Sequence, residues 1–241
     1  MKLIRIARKV VVAFFATTIL SVVIYRFLPV YVTPLMLIRC YEQIQEGRDL
    51  NLKHDWVSLD KMSESMPVAV MASEDQRFLK HHGFDLDAIE RAARHNQKSE
   101  RKQGASTISQ QTAKNVFLWP GRSWIRKGLE AYFTVLIELI WSKQRIMEVY
   151  LNSIEMGDGI YGVEAVAREH FGCSAKELTR SQCALIAVTL PNPRKFSSKH
   201  PSDYMVKRKN FIMKQMRYVP IIPKEGQNVD PSTVDGGIYK R

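Results

Sequence analysis

Two carboxylates, basic side chains and two imidazoles crowd into one decapeptide, Glu74-Asp75-Gln76-Arg77-Phe78-Leu79-Lys80-His81-His82-Gly83. It follows directly on an apolar run, Met66-Pro67-Val68-Ala69-Val70-Met71-Ala72. A carboxylate at the end of an apolar segment loses part of its hydration, and its pKa climbs toward the range useful for moving a proton. In isolation the plainer reading is the better one: a helix end with solvated acids, and histidines covering a glycine turn. Blocks further along the chain change that balance.

The second block is Gly104-Ala105-Ser106-Thr107-Ile108-Ser109-Gln110-Gln111-Thr112-Ala113-Lys114-Asn115. Thr107 with Gln110 three residues on fits a capping box, so Gly104 to Thr107 is a loop feeding a helix N-terminus. Free N–H groups and the helix dipole make such a terminus attractive to anions, and Lys114 and Asn115 extend the site along the helix. An ordinary capped surface helix is the alternative. The third block holds Arg122, Arg126, Lys127 and Glu130 among Phe117, Leu118, Trp119, Pro120, Trp124 and Ile125. Arg126 and Glu130 are four apart, which allows a simple surface ion pair, in the less favourable base-before-acid order. Aromatic residues interleaved with cations suit a surface entering lipid headgroups. A buried aromatic cluster under a loop fits the same pattern, and the sequence leaves both open.

The fourth block, Lys143-Gln144-Arg145-Ile146-Met147-Glu148-Val149-Tyr150-Leu151-Asn152, has Ile146, Val149 and Tyr150 at helical spacing and reads mostly as core. It leads into Gly157-Asp158-Gly159-Ile160-Tyr161-Gly162, where three glycines in six residues predict a tight turn before the next helix. The fifth block, Arg180 to Leu190, is an apolar helix stopped by Pro191 and Pro193, again a packing element.

The elements that must position these residues are mainly α-helical. From Ser63 onward helical periodicity dominates, strand-like alternation is absent, and Ile89, Ala92 and Ala93 are expected to share one face. The N-terminus carries Lys2, Arg5, Arg8 and Lys9, then an apolar stretch from Val10 to Tyr25 that resumes after Arg26 as far as Ile38. A span needs ~20 largely apolar residues, which this stretch reaches if Arg26 lies at the interface. No small-x-small cleavage site follows, so the segment reads as a membrane anchor rather than a cleaved signal, with its basic end in the cytoplasm. Pro29 and Pro34 are expected to make residues 29–38 an interfacial connector without helix. The expected organisation is 1–40 for basic tip, anchor and connector, 41–222 for the catalytic domain, and 223–241 for a tail poor in large apolar groups, expected to be disordered.

The 241 residues carry 36 Lys+Arg against 24 Asp+Glu, a net charge of +12 that suits a polyanionic partner: nucleic acid, an anionic membrane or a phosphate-bearing substrate. Cys40, Cys173 and Cys183 form neither a CxxC pair nor a disulfide framework and read as packing residues. A basic run from Arg194 through Lys195, Lys199, Lys207, Arg208, Lys209, Lys214 and Arg217 reads first as a solvated helix face, and second as a contact with anionic headgroups.

Together the blocks resemble the monofunctional biosynthetic peptidoglycan glycosyltransferases, over roughly Met66 to Pro193. The signatures are E-D-x-x-F-x-x-H-x-G, G-x-S-T-I-x-Q-Q-x-x-K-N, R-K-x-x-E, K-x-x-I-x-E-x-Y-L-N and L-P-x-P, in order. The resemblance implies a lysozyme-like helical domain with a small membrane-facing jaw that includes Trp119 to Trp124, behind one transmembrane helix. It implies polymerisation of lipid-linked disaccharide-peptide (lipid II) into β-1,4 glycan strands, outside the bacterial cytoplasmic membrane. Glu74 would be the general base on the acceptor hydroxyl and Glu130 a second essential carboxylate. Lys114 and Arg122, with Arg126 and Lys127, would neutralise the pyrophosphate. Asp75, Phe78, His81, Ser106, Gln110, Gln111 and Asn115 would line the substrate site. It implies no tightly bound cofactor and leaves room for Mg²⁺ or Mn²⁺ at the pyrophosphate, with no legible metal ligands. Partners would be lipid II, the growing glycan, membrane lipids and other cell-wall synthesis or division proteins. The S-x-x-K matches at Ser58 and Ser99 lack the companion S-x-N and K-T-G elements of a penicillin-binding domain.

Two rival readings remain. A lysozyme-like or lytic glycan-cleaving enzyme needs a protonated acid at the glycosidic oxygen and has no use for cations at a pyrophosphate. A non-catalytic, membrane-tethered polyanion binder would rest on the charge alone. Nucleic acid is disfavoured as partner by the external location and the lack of a binding motif.

Overall fold

The computed structural model describes residues 2–100, 103–121 and 123–222. The domain is built on two helices that are apolar all round. In α3 (Ser65–Glu74) every residue from Met66 to Ala72 is buried, and in α9 (Arg180–Thr189) every residue from Cys183 to Thr189. A helix without a polar face is stable only when other elements enclose it. Ser73 Oγ lies 3.5 Å from the Ala187 carbonyl near the C-terminal ends of α3 and α9, and Ser65 and Arg180 border one groove at their N-terminal ends, so the two helices run side by side in the same direction. Around them pack α5 (Ile108–Phe117), α6 (Trp124–Ile140), α7 (Lys143–Ser153), α8 (Val163–Phe171) and α10 (Asp203–Gln215). The expectation of a mainly helical domain holds, and Ile146, Val149 and Tyr150 are fully buried as their spacing predicts.

Four features differ from the sequence reading. The connector between anchor and domain is short. The first helix, α1 (Lys2–Phe27), is followed by α2 (Pro34–Gln45), which begins inside the stretch expected to be irregular. Pro34 opens that helix rather than breaking it, because the first turn has no use for its missing N–H, and Thr33 caps it by accepting from Met36 N. The glycine cluster forms a hairpin, β2 (Glu155–Gly157) and β3 (Ile160–Tyr161), with β1 (Lys53–His54) parallel to β3. Strands of two and three residues are too short to leave an alternation pattern. Gly159 is required at its turn: φ is +72°, and a Cβ there would lie 2.1 Å from the Asn51 carbonyl oxygen. In α4 (Leu86–Lys98) Ala92 alone is buried, while Ile89 and Ala93 are exposed, so the expected shared face is not a packed one. Finally, Arg194 of the basic C-terminal run reaches Glu42 at 3.8 Å and Asp158 at 3.6 Å, tying α2 to the hairpin.

The three cysteines are free, with Cys183 fully buried. Trp119, Trp124 and Ile125 are exposed, Trp124 to 92 %, while Phe117 and Leu118 turn inward. The block is thus neither wholly buried nor wholly exposed.

Candidate active site

Glu74 is the last residue of α3, where the buried helix meets a cleft of about 640 Å³. The cleft is lined by Ser73, Glu74 and Gln76, by the loop Gln103 to Thr107, and by Pro191, Arg208 and Phe211 on the opposite wall. Burial pushes the Glu74 carboxyl above the usual carboxylate range. Hydrogen bonds from Gln111 Nε2 (3.2 Å) and Ser73 Oγ (3.1 Å), and the charge of Arg208, pull it partly back. Gln111 is itself held: its Oε1 accepts from the Tyr150 hydroxyl at 3.1 Å. Tyr150 is fully buried, so a core residue of α7 aims the amide that supports Glu74.

The remainder of the first block builds the loop that delivers Glu74. Asp75 is buried; its carboxylate accepts from His81 Nε2 at 2.9 and 3.0 Å and from the backbone N–H of Ile108 at 3.0 Å. A carboxylate is well placed there, because Ile108 opens α5 and its N–H lacks an intrahelical acceptor. His81 Nδ1 accepts from Gly83 N, which leaves Nε2 as the nitrogen that donates to Asp75. Gly83 has φ +90°, a Cβ on it would sit 2.8 Å from Thr134 Cγ2, and its carbonyl accepts from Thr107 Oγ1. Phe78 is fully buried, with Lys143 Nζ 4.5 Å from its ring centroid. Asp75, Phe78 and His81 therefore hold the loop against α5. Asp75 also borders the cleft beside Glu74, whereas Phe78 and His81 are buried away from its lining, which differs from the expectation that all three would line the substrate site.

On α5 the capping box forms as the sequence predicts, with Gln110 Oε1 accepting from Thr107 N. That bond commits Gln110, which is buried, to the cap rather than to a ligand. Asn115 is also buried. Ser106, by contrast, is exposed in the cleft loop. Gln111 and Lys114 share a face of α5, three residues apart. Burial lowers the Lys114 ammonium below the ordinary lysine range; Glu130 and then Glu74 act to raise it, Arg126 and Lys127 to lower it further. Lys114 thus lies within the electrostatic reach of both candidate carboxylates.

Glu130 sits on α6, one turn beyond Arg126 and Lys127, and its carboxylate is buried between them. Arg126 NH1 donates to Oε2 at 2.6 Å, and Lys127 Nζ donates to Oε1. This is no surface ion pair. Among the described residues the buried Arg126 Nε–H has no acceptor, which leaves a donor for a ligand. Arg122 lies outside the described residues. Among the described residues no group of three or more His, Cys, Asp or Glu is placed to hold a metal ion, and Glu130 is already saturated by two cations. No step is derived through a metal ion.

Sequence reasoning missed Arg208 and Phe211, which come from α10 and were visible only as part of a basic run. Arg208 lies over the Phe211 ring at 5.1 Å and forms no ion pair among the described residues. A larger groove of about 860 Å³ opens at the other end of α3, beside Glu64, Arg180 and Arg217. It does not include Glu74, which lines the smaller cleft.

Comparison with known proteins agrees with that geometry. A family model described as Transglycosylase matches residues 42–217. The chain is 60 % identical to the biosynthetic peptidoglycan transglycosylase of Bacteroides thetaiotaomicron over 222 residues, 92 % of this chain and 90 % of that one. It is 53 % identical over 216 residues to the protein of that name from Bdellovibrio bacteriovorus, covering 90 % and 86 % of the two chains. It is 50 % identical over 214 residues to the one from Caulobacter vibrioides, covering 87 % and 91 %. The chain belongs to the transglycosylase family.

Proposed function

We propose that this chain is a peptidoglycan glycosyltransferase that polymerises lipid II into β-1,4-linked glycan strands. The observation that carries the proposal is Glu74: a carboxyl raised by burial, fixed by Gln111 and Ser73, bordering a cleft and coupled electrostatically to Lys114, which in turn feels Arg126, Lys127 and Glu130. A base with an elevated pKa is matched to a hydroxyl proton at neutral pH. Glu74 takes the proton from the acceptor sugar's 4-hydroxyl, and the oxygen attacks C1 of the lipid-linked chain. The C1–oxygen bond to the pyrophosphate breaks with inversion, and the electron pair leaves on the phosphate oxygen. Lys114, Arg126 and Lys127, with Arg122, neutralise that charge, so no strong acid is needed at the leaving group. Glu130 holds Arg126 and Lys127 in place. Ser106 and Gln111 border the sugar. Membrane lipids and other cell-wall synthesis or division proteins are the further partners.

The N-terminal helix, 26 residues and strongly apolar, supports a single membrane span. Lys2, Arg5, Arg8 and Lys9 before the span favour a cytoplasmic N-terminus with the catalytic domain on the outer face of the inner membrane. The exposed Trp119 and Trp124 suit contact with headgroups.

The test is polymerisation of purified lipid II by the detergent-solubilised protein beside Glu74→Gln. Polymer from the wild type alone, with the variant slower by ~10²–10⁴-fold, supports reaction and base together. Cleavage of preformed glycan without polymer would move the chain to the lytic class.

A further inference from the structure

The membrane helix does not stand free of the domain. Four positions of α1 between Thr18 and Tyr25 lose solvent exposure: Thr18, Ser21 and Tyr25 are half-buried and Val22 is wholly buried. Their spacing of three, one and three is a helical stripe, and its hydroxyl-bearing residues Thr18, Ser21 and Tyr25 lie on the side of α1 that meets the domain. The partners come from the two helices that build the site. On α6, the Tyr132 hydroxyl lies 2.8 Å from Thr18 Oγ1, with Phe14 and Phe15 around its ring. Trp141, which ends α6, donates its indole N–H to the Val22 carbonyl at 2.8 Å.

The strongest contact is at the helix end. Pro29 has no N–H, so the Tyr25 carbonyl four residues earlier loses its intrahelical donor. Arg145 of α7 replaces it, donating from Nε at 3.0 Å and from NH2 at 2.8 Å, and it also donates to the Leu28 carbonyl. A guanidinium at a helix C-terminus complements the dipole as well. Arg145 is in turn fixed by Glu148 at 2.9 Å and stacks 5.2 Å from the Trp56 ring.

The geometry points to Arg145 and Trp141 as positioning residues that lock the membrane helix onto the catalytic body, so that α1 is a wall of the domain and not a tether. The cleft is then held at one height and tilt over the bilayer that presents its substrate. α6 carries Arg126, Lys127 and Glu130, and α7 carries Tyr150, which reaches Glu74 through Gln111, so both docked helices lead into the site. This consequence for turnover rests on the glycosyltransferase reading; the docking itself does not.

The experiment uses the full chain in lipid vesicles, with nitroxide labels at Leu20→Cys on the outward face of α1 and Lys195→Cys on the domain. Cys40 and Cys173 are replaced by Ala, and buried Cys183 is kept. A single narrow inter-label distance is expected, spreading into a broad distribution in Arg145→Met/Trp141→Phe. Val22→Trp, which wedges the interface from the anchor side and leaves every side chain of the domain in place, should broaden it likewise. A broad distribution in the parent protein, or an unchanged narrow one in both variants, overturns the docking. Turnover supplies the second reading. Release of α1 should slow polymerisation of vesicle-embedded lipid II several-fold while leaving detergent-dispersed lipid II nearly unaffected, a split that general misfolding would not give. Equal losses in both media would overturn the positioning role. No polymer from the parent in either medium would instead sink the function and leave the distance measurement standing.

Discussion

Replacing Glu130 by Gln should unfold the protein at a markedly lower temperature, although the two side chains are nearly the same size. The carboxylate is 4 % exposed at its side chain and bound by two cations, Arg126 at 11 % and Lys127 at 43 % side-chain exposure. Lys127 can turn to water when its partner is lost. Arg126 cannot, and its Nε–H already lacks an acceptor. Breaking a buried ion pair from one side costs roughly 3–5 kcal/mol, mostly the penalty of the charge left behind. The glutamine oxygen recovers one hydrogen bond to Arg126, so the lower end, about 3 kcal/mol, is expected. For a domain of this size each 1 kcal/mol is worth about 2–4 °C in Tm, giving a fall of roughly 6–12 °C. Far-UV circular dichroism of the detergent-solubilised chain measures it. The pairwise origin is checked with Arg126→Met/Glu130→Leu, which removes both charges and should regain most of the loss. A Glu130→Gln protein melting with the wild type, or a double variant less stable than the single, would refute the buried-pair argument.

Glu74→Gln should do the reverse. Burial disfavours the ionised carboxylate, so the folded pKa lies above the unfolded one, and stability is lost as pH rises through it. The neutral glutamine escapes that loss. The variant should therefore melt above the wild type at neutral pH, with the gap closing on acidification, while its polymerisation is abolished. The same elevation predicts that wild-type turnover falls on the acid side at a pH above the usual carboxylate range, read from a kcat/KM profile. Lys114→Met should lower turnover on lipid II by ~10²-fold or more, as removal of one preorganised charge does, with Tm kept or raised because burial already penalises the ammonium. Gly83→Ala combines a positive φ with a 2.8 Å approach to Thr134, and should cost at least ~2 kcal/mol and lower turnover by displacing the loop behind Glu74, both visible in one preparation by melting and by assay.

The sequence determined a good deal by itself. Local patterns survive intact where neighbours in the chain are also neighbours in space: the capping box at Thr107 and Gln110, the core stripe of α7, the apolar anchor, and the glycine at Gly83. The blocks around Glu74, Lys114 and Glu130 were legible as chemistry because carboxylates and cations near apolar runs are costly to keep. Tertiary structure alone decided how those polar residues are engaged within the fold. Asp75, His81 and Gln110 have ligand-like chemistry, yet their hydrogen bonds are spent on holding α3, its loop and α5 together. Arg208 and Phe211 reach the cleft from α10, more than a hundred residues from Glu74, and a basic surface helix gives no sign of that. The docking of Arg145 on the Tyr25 carbonyl was equally invisible, since it pairs a proline's missing donor with a guanidinium 120 residues away. Periodicity and capping are properties of adjacent residues. Desolvation, and the choice of partner that follows from it, belong to the packed molecule.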